Sequence, residues 1–337
     1  MNSRILFFTL SLFIFISCAR ENEVNIYSSR HYDTDLELYR DFTEKTGIRI
    51  NLIEGTSDEL IERIRNEGIN SPADIVITVD AGRLWRAKEA GVLQPHGSGY
   101  LNQTIPSEMQ DPEGYWVGLS ERTRAIIYNT ETVSREELEG YWELADEEWA
   151  GRLCVRSSNN IYNQSMVASL IESRGEEQTE EWGVRLVNNF ARPPQGGDTD
   201  QIRAVAAGLC DVALANHYYL ARLIESDNQA DLEVASKVGI YFPTADYGGT
   251  HVNISGAGIA ANSPNRENAV RFLEYLATSD AQLIFAIGNN EFPVLDGLEL
   301  PDVLSQFGEY DSDAINVAVY GVNNPRAIRL MDRAGWR

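Results

Sequence analysis

Short apolar runs alternate with amphipathic stretches from residue 24 almost to the end of the chain, and few folds accommodate that rhythm. Residues 24–28 read as a strand. Residues 33–46 put Leu36, Tyr39 and Phe42 on one helical face, and Gly47 supplies a C-cap. A strand at 48–53 follows. Thr56 and Glu59 have capping-box spacing and open a helix that runs to Gly68. The apolar run at 73–79 has the character of a parallel strand buried on both faces, and a helix at 81–90 stops at Gly91. Such a series folds as a parallel sheet with helices on both sides.

A second series begins near residue 120. Strands are expected at 123–129, 152–156 and 211–215, with helices at 166–173, 182–190, 201–209 and 220–225. A glycine-containing strand at 252–260 precedes helices at 265–276 and 280–287. The tail from Pro301 is acidic and then helical, with 328–337 as a short last helix. For 337 residues, two α/β lobes are the simplest arrangement. The chain is expected to cross between them at 118–124 and 249–255. The expected lobes are 18–122 with 253–300, and 123–252 with 301–337.

The first residues have a different character. Arg4 precedes an apolar run at 5–16, too short for a bilayer span of about 20 residues but suited to a signal peptide. Ser17 and Cys18 follow, a small residue and a cysteine at the expected cleavage point, as in a bacterial lipobox. Phe15 departs from that pattern, and an ordinary signal peptide with a chance cysteine is the alternative. The expectation is an exported chain, 1–17 being removed and Cys18 lipidated. Export to an oxidising compartment makes Cys154 and Cys210 a disulfide candidate; two separate buried thiols are the alternative. A net charge of −23 argues against nucleic acid or anionic lipid as partners. A membrane is expected only through the lipid anchor.

No glycine-rich phosphate loop, nucleophile elbow or H-E-x-x-H helix is present, and the four histidines lack zinc spacing. The tyrosines are more informative. In open α/β sheets ligands bind beyond the carboxyl ends of strands. The strand at 24–28 is followed by Arg30, His31 and Tyr32; that at 152–156 by Tyr162; that at 211–215 by His217, Tyr218 and Tyr219. Three strand ends thus deliver Tyr32, Tyr162, Tyr218 and Tyr219 to a place where two lobes can close. Singly, each tyrosine reads as amphipathic packing. Together they suit a hard trivalent cation, because a phenol with a pKa near ~10 is a poor ligand for divalent ions while Fe(III) can displace its proton. Four phenolates exceed a +3 charge by one, and Arg30 and Arg222 flank the site in sequence as second-layer cations, each more ordinary alone as solvated surface arginine.

The stretches "NIYSSRHYDTD", "SPADIVITVD", "CVRSSNNIYNQSMVAS" and "CDVALANHYYLARL" carry a family resemblance. Over the whole mature chain the sequence resembles the periplasmic ferric-iron-binding proteins of ABC iron importers, in the branch that holds iron with four tyrosines. The resemblance implies the two-lobed type II periplasmic-binding-protein fold, with a hinge and an interlobe cleft. It implies Tyr32, Tyr162, Tyr218 and Tyr219 as Fe(III) ligands, His31 as a ligand in some members only, and an inner-membrane ABC permease as partner. A monomeric, periplasmic carrier with no catalysis is expected. The better-known branch also uses a glutamate after the "SPAD" strand; Val79 and Asp80 stand there instead, and Asp80 is not expected to ligate. A small organic anion, a polyamine or a sugar is the alternative solute. An exported enzyme is disfavoured, since no nucleophile context is recognisable.

Overall fold

The computed structural model describes residues 22–30 and 32–337, so the leader, Cys18 and His31 lie outside the described residues. Its strands are β1 (Glu23–Ser28), β2 (Arg49–Glu54), β3 (Ile75–Val79), β4 (Leu93–Gln94), β5 (Trp116–Asn129), β6 (Leu153–Cys154), β7 (Val212–Asn216), β8 (Val238–Tyr241) and β9 (Val252–Ala260). They are ordered β2-β1-β3-β9-β5-β7-β6, with β4 beside β9 and β8 beside β5. β1 pairs in parallel with β2 and β3, as the alternating pattern requires. β6 pairs in parallel with β7. β3 and β7 are buried throughout, which is why both read as continuous apolar runs.

β5 gives the molecule its two-part form. Its first half, Trp116 to Thr123, runs antiparallel to β9; its second half, from Arg124, runs antiparallel to β7 and also pairs with β8. One strand therefore leaves one sheet and enters the next. β9 is squeezed between neighbours on both sides, which explains its glycines: a Cβ on Gly258 would lie 2.5 Å from the Tyr115 carbonyl oxygen, and one on Gly256 would lie 2.6 Å from Leu84. Cys154 and Cys210 are joined by a disulfide with a Cα–Cα distance of 5.9 Å, tying β6 to the turn before β7.

Several elements differ from their sequence outline. β5 begins at Trp116, well before residue 123, and β6 is only two residues long because the ladder with β7 ends at Cys154. The helix expected at 166–173 runs from Ile161 to Arg174, and that expected at 182–190 is Glu176–Asn188. The helix after β7 is His217–Ile224, so it starts directly at the strand end. Helix Gln229–Ala235 and β8 had no sequence signal. The last helix is Ala318–Ala334, not a short piece at 328–337; Pro325 lies within it and masks its length. That helix packs on Ala81–Glu89 from the first half of the chain and on Ile161–Arg174 and Glu176–Asn188 from the second.

Candidate metal centre

The side chains of interest are placed by strand ends and helix starts. β1 ends at Ser28, and Arg30 turns back to grip Asp35 at 2.8 Å, holding the loop that presents Tyr32 at the start of helix Asp35–Thr46. Tyr162 is in the first turn of helix Ile161–Arg174, where the Asn160 side chain accepts the Tyr162 backbone N–H at 3.0 Å. Tyr218 and Tyr219 occupy the first turn of helix His217–Ile224. Their rings stand at 34° with centroids 4.5 Å apart. A helical start lets neighbouring residues share one side, which an extended segment would not. Two helix N-termini thus face the cluster, and their dipoles favour negative oxygen there.

Arg122 sits at the centre, on β5. Its Nη2 donates to the Tyr162 hydroxyl at 3.4 Å and the Tyr32 hydroxyl at 3.5 Å, and also donates to Tyr218. Its guanidinium lies 4.6 Å from the Tyr218 ring centre and 5.1 Å from that of Tyr162. The Tyr218 hydroxyl also accepts from the Asn216 side-chain amide at 3.2 Å. The four tyrosines named from the sequence therefore meet as one group, drawn from three separate strand ends. Tyr218 is fully buried, while Tyr32, Tyr162 and Tyr219 are partly exposed.

The electrostatics divide the phenols. Burial pushes Tyr162 up, but the Arg122 charge and hydrogen bonds from Tyr218 and Arg122 more than offset it, and Tyr162 ends below the ordinary phenol range. Tyr218 stays well above that range because it is desolvated. Tyr219 is raised, chiefly by burial and next by the Tyr162 charge.

Arg30 and Arg222 are not solvated surface arginines. Arg30 is buried, stacks 4.7 Å from the Tyr32 ring centre and donates to Glu291 at 3.0 Å. Arg222 lies 4.9 Å from the Tyr32 ring centre and 5.0 Å from that of Tyr218. Glu291, fully buried, accepts from Ser255 at 3.1 Å and from Ser120, and faces Arg122 Nε at 3.3 Å. Burial pushes its pKa up, but Arg30 and then Arg122 pull the carboxyl down to about 2. Glu291 thus joins β5, β9 and the arginines behind the tyrosines.

Arg122, Arg124 and Glu291 were missed by sequence reasoning. Arg124 donates to Asp198 at 2.7 Å, to Asn216 at 3.0 Å and to Asn163 at 2.8 Å, so it fixes both helix starts that carry tyrosines. The available signal was two arginines at strand spacing just ahead of the apolar run at 125–128, since unpaired charge is not buried without a purpose. His217 faces away: Nδ1 meets Thr123, Nε2 meets the Asn290 carbonyl, and burial drives its pKa down to about 3. Asp80 also turns aside. Its carboxylate accepts from Gly82 at 2.8 Å, from Ser165 at 2.8 Å and from Asn253 at 2.9 Å. Among the described residues, no group of three or more His, Cys, Asp or Glu side chains comes together in a metal-binding arrangement.

Two α/β sheets sharing one long strand, with polar side chains from both converging between them, define a solute-binding protein of the two-lobed kind. The chain belongs to the bacterial extracellular solute-binding protein family, whose pattern matches residues 37–310. It is 50% identical to Iron uptake protein A1 of Synechocystis over 94% of this chain and 88% of that one. Its structure superposes on the Trichodesmium IdiA/FutA protein, solved in complex with iron and citrate ligands, with a TM-score of 0.92 and 56% identity, covering 94% of this chain and 100% of that one. A ferric binding protein from Campylobacter jejuni matches with a TM-score of 0.86 and 38% identity over 93% of this chain and 100% of that one.

Proposed function

We propose that this protein captures Fe(III) with Tyr32, Tyr162, Tyr218 and Tyr219 and delivers it to an ABC-type importer, as a carrier and not as an enzyme. The observation that carries this reading is the gathering of three hydroxyls, from three strand ends, around one guanidinium nitrogen. Phenolates suit a hard trivalent ion, and four of them leave one excess negative charge that Arg122 neutralises. The iron-related names of the relatives support the same cargo. The lobes are 18–122 with 253–300 and 123–252 with 301–337, and metal contacts to both favour closure. A monomer, periplasmic and tethered through a lipid on Cys18, completes the reading.

A visible spectrum of the metal-free protein before and after adding ferric citrate tests it. A broad tyrosinate-to-iron band, bleached by reductant plus chelator, is expected. A folded protein that gains no band refutes ferric ligation and leaves an organic solute as cargo.

A further inference from the structure

The junction between β3 and helix Ala81–Glu89 is strained at a residue that ligates nothing. Asp80 has φ 79° and ψ 123°, in the left-handed half of backbone space that side chains other than glycine rarely enter. Capping the helix does not require this, since N-cap residues ordinarily keep extended backbone angles. Strain of this kind persists where the surroundings over-determine it. Here the Asp80 N–H donates to the Ile254 carbonyl at 2.8 Å, and the Ala81 N–H donates to the Asn253 side chain at 2.9 Å. The carboxylate is thereby turned inward, and only 1% of the residue is exposed. Gly82 leaves room for it: a Cβ there would lie 3.0 Å from the Asp80 Oδ1.

The carboxylate reaches across the boundary between the two halves of the molecule. Ser165 Oγ lies 2.8 Å from Oδ1 and 2.9 Å from Oδ2, its one proton shared between them. Asn253, on β9, donates to Oδ2 at 2.9 Å. Asp80 follows β3, which pairs with β9, whereas Ser165 sits on helix Ile161–Arg174, which follows β6 beside β7. Ser165 is fully buried and stands three residues beyond Tyr162, on the same side of that helix and one turn along. Asp80, Asn253, Arg122 and Tyr162 border one narrow gap. Burial raises the Asp80 pKa, and the Ser165 hydrogen bond is the foremost influence opposing it. A buried carboxylate that loses such a donor keeps its desolvation penalty uncompensated, so the contact favours the arrangement in which the two halves touch.

We infer that Asp80 is a positioning residue for the metal centre: by gripping Ser165 it clamps the first turns of helix Ile161–Arg174 to the opposite half of the molecule and so sets Tyr162 beside Tyr32 and Tyr218. That purpose rests on the iron reading above; the clamp itself is testable without metal.

Ser165→Ala removes the hydroxyl and leaves Asp80 its bonds to Gly82 and Asn253. Ser169→Ala, one turn further along, is the comparison: that hydroxyl is also buried but donates to the Met166 carbonyl of its own helix at 2.8 Å. Iron release from each loaded protein to excess chelator is followed by decay of the tyrosinate band, and small-angle scattering gives the radius of gyration without metal. S165A should release iron about tenfold faster with its capture rate nearly unchanged, because a lost contact of the closed state acts on dissociation. Its metal-free radius of gyration should rise. S169A should match the parent in both. Circular dichroism checks the fold; should S165A fail to fold, D80N, whose amide would meet the Asn253 amide donor to donor, is expected to give the same acceleration. A folded S165A with the parent's release rate, or equal acceleration in S169A, overturns the inference. If the parent develops no tyrosinate band, the iron reading falls instead, and the metal-free scattering alone decides the clamp: an unchanged radius in S165A then overturns it.

Discussion

Arg122 either neutralises the bound metal centre or competes with it, and replacing it by glutamine decides between the two. Its guanidinium contacts the hydroxyls of Tyr32 and Tyr162 at 3.5 and 3.4 Å and also bonds Tyr218. In the metal-free protein most of those phenols are neutral and the interaction is chiefly hydrogen bonding. With Fe(III) and four phenolates the centre carries one net negative charge, and the guanidinium feels that whole charge. At about 4.5 Å and an effective dielectric near 20, one unit pair is worth about 3–4 kcal/mol. R122Q should therefore weaken ferric affinity about 10²- to 10³-fold at neutral pH. The fold should survive, since Glu291 keeps Arg30 at 3.0 Å and Ser255 at 3.1 Å. Competition against a chelator of known strength, followed by the tyrosinate band, gives the affinity. The double variant R122Q/E291Q should recover part of the loss, because the anion that opposes the metal centre's excess charge is then gone too. Equal or tighter iron binding by R122Q would refute the reasoning and make Arg122 an occupant that iron must expel.

Tyr162→Phe keeps the ring and removes one hydroxyl of the cluster, so iron affinity and band intensity should fall while thermal unfolding of the metal-free protein is unchanged; a full band would exclude Tyr162 as a ligand. Cys154→Ser with Cys210→Ser opens a link between residues 56 apart, and chain entropy predicts a loss of about 4 kcal/mol in denaturant unfolding; an unshifted midpoint would refute that. Glu121 is raised to about 7, first by burial and then by Asp296 and Glu108, with the Tyr310 hydrogen bond opposing. A carboxyl raised on folding binds more protons in the native state, so it favours the folded protein at low pH and loses that benefit as pH rises from about 4.5 to 7. Glu121→Gln should therefore add up to about 3 kcal/mol at pH 8 and little at pH 5; the same gain at both would point to packing instead.

The parts of the fold legible in the sequence are those whose stability is decided locally. The Thr56 and Glu59 capping box forms as its spacing says, with the Thr56 backbone N–H donating to Glu59 at 2.9 Å. β9 occupies 252–260, where the apolar glycine run places it. What could not be read depends on distant partners. The first half of β5 carries Glu121 and Arg122, residues that a propensity argument keeps out of a buried strand, and they are tolerated only because Tyr310 and Glu291 await them. The last helix runs through Pro325 because it is clamped between other helices, with Gly321 pressed so close to Trp85 that a Cβ would fall 2.2 Å from it.

The site shows the same division. Tyrosines at strand ends were visible because topology alone tells where strand ends go. Their partners were not, because a buried arginine and a surface arginine look alike in one sequence. Side-chain alternation along β5 sends Arg122 and Arg124 toward the tyrosines, while Glu121 points to the opposite face and bonds Tyr310. One strand thus lays two cations beneath the cluster and one raised carboxyl behind it. Shifting β5 by one residue would exchange those roles and place a carboxylate among the phenols, where it would repel their ionised forms. The register of β5 against β9 and β7 is therefore as much a determinant of the site as the tyrosines themselves.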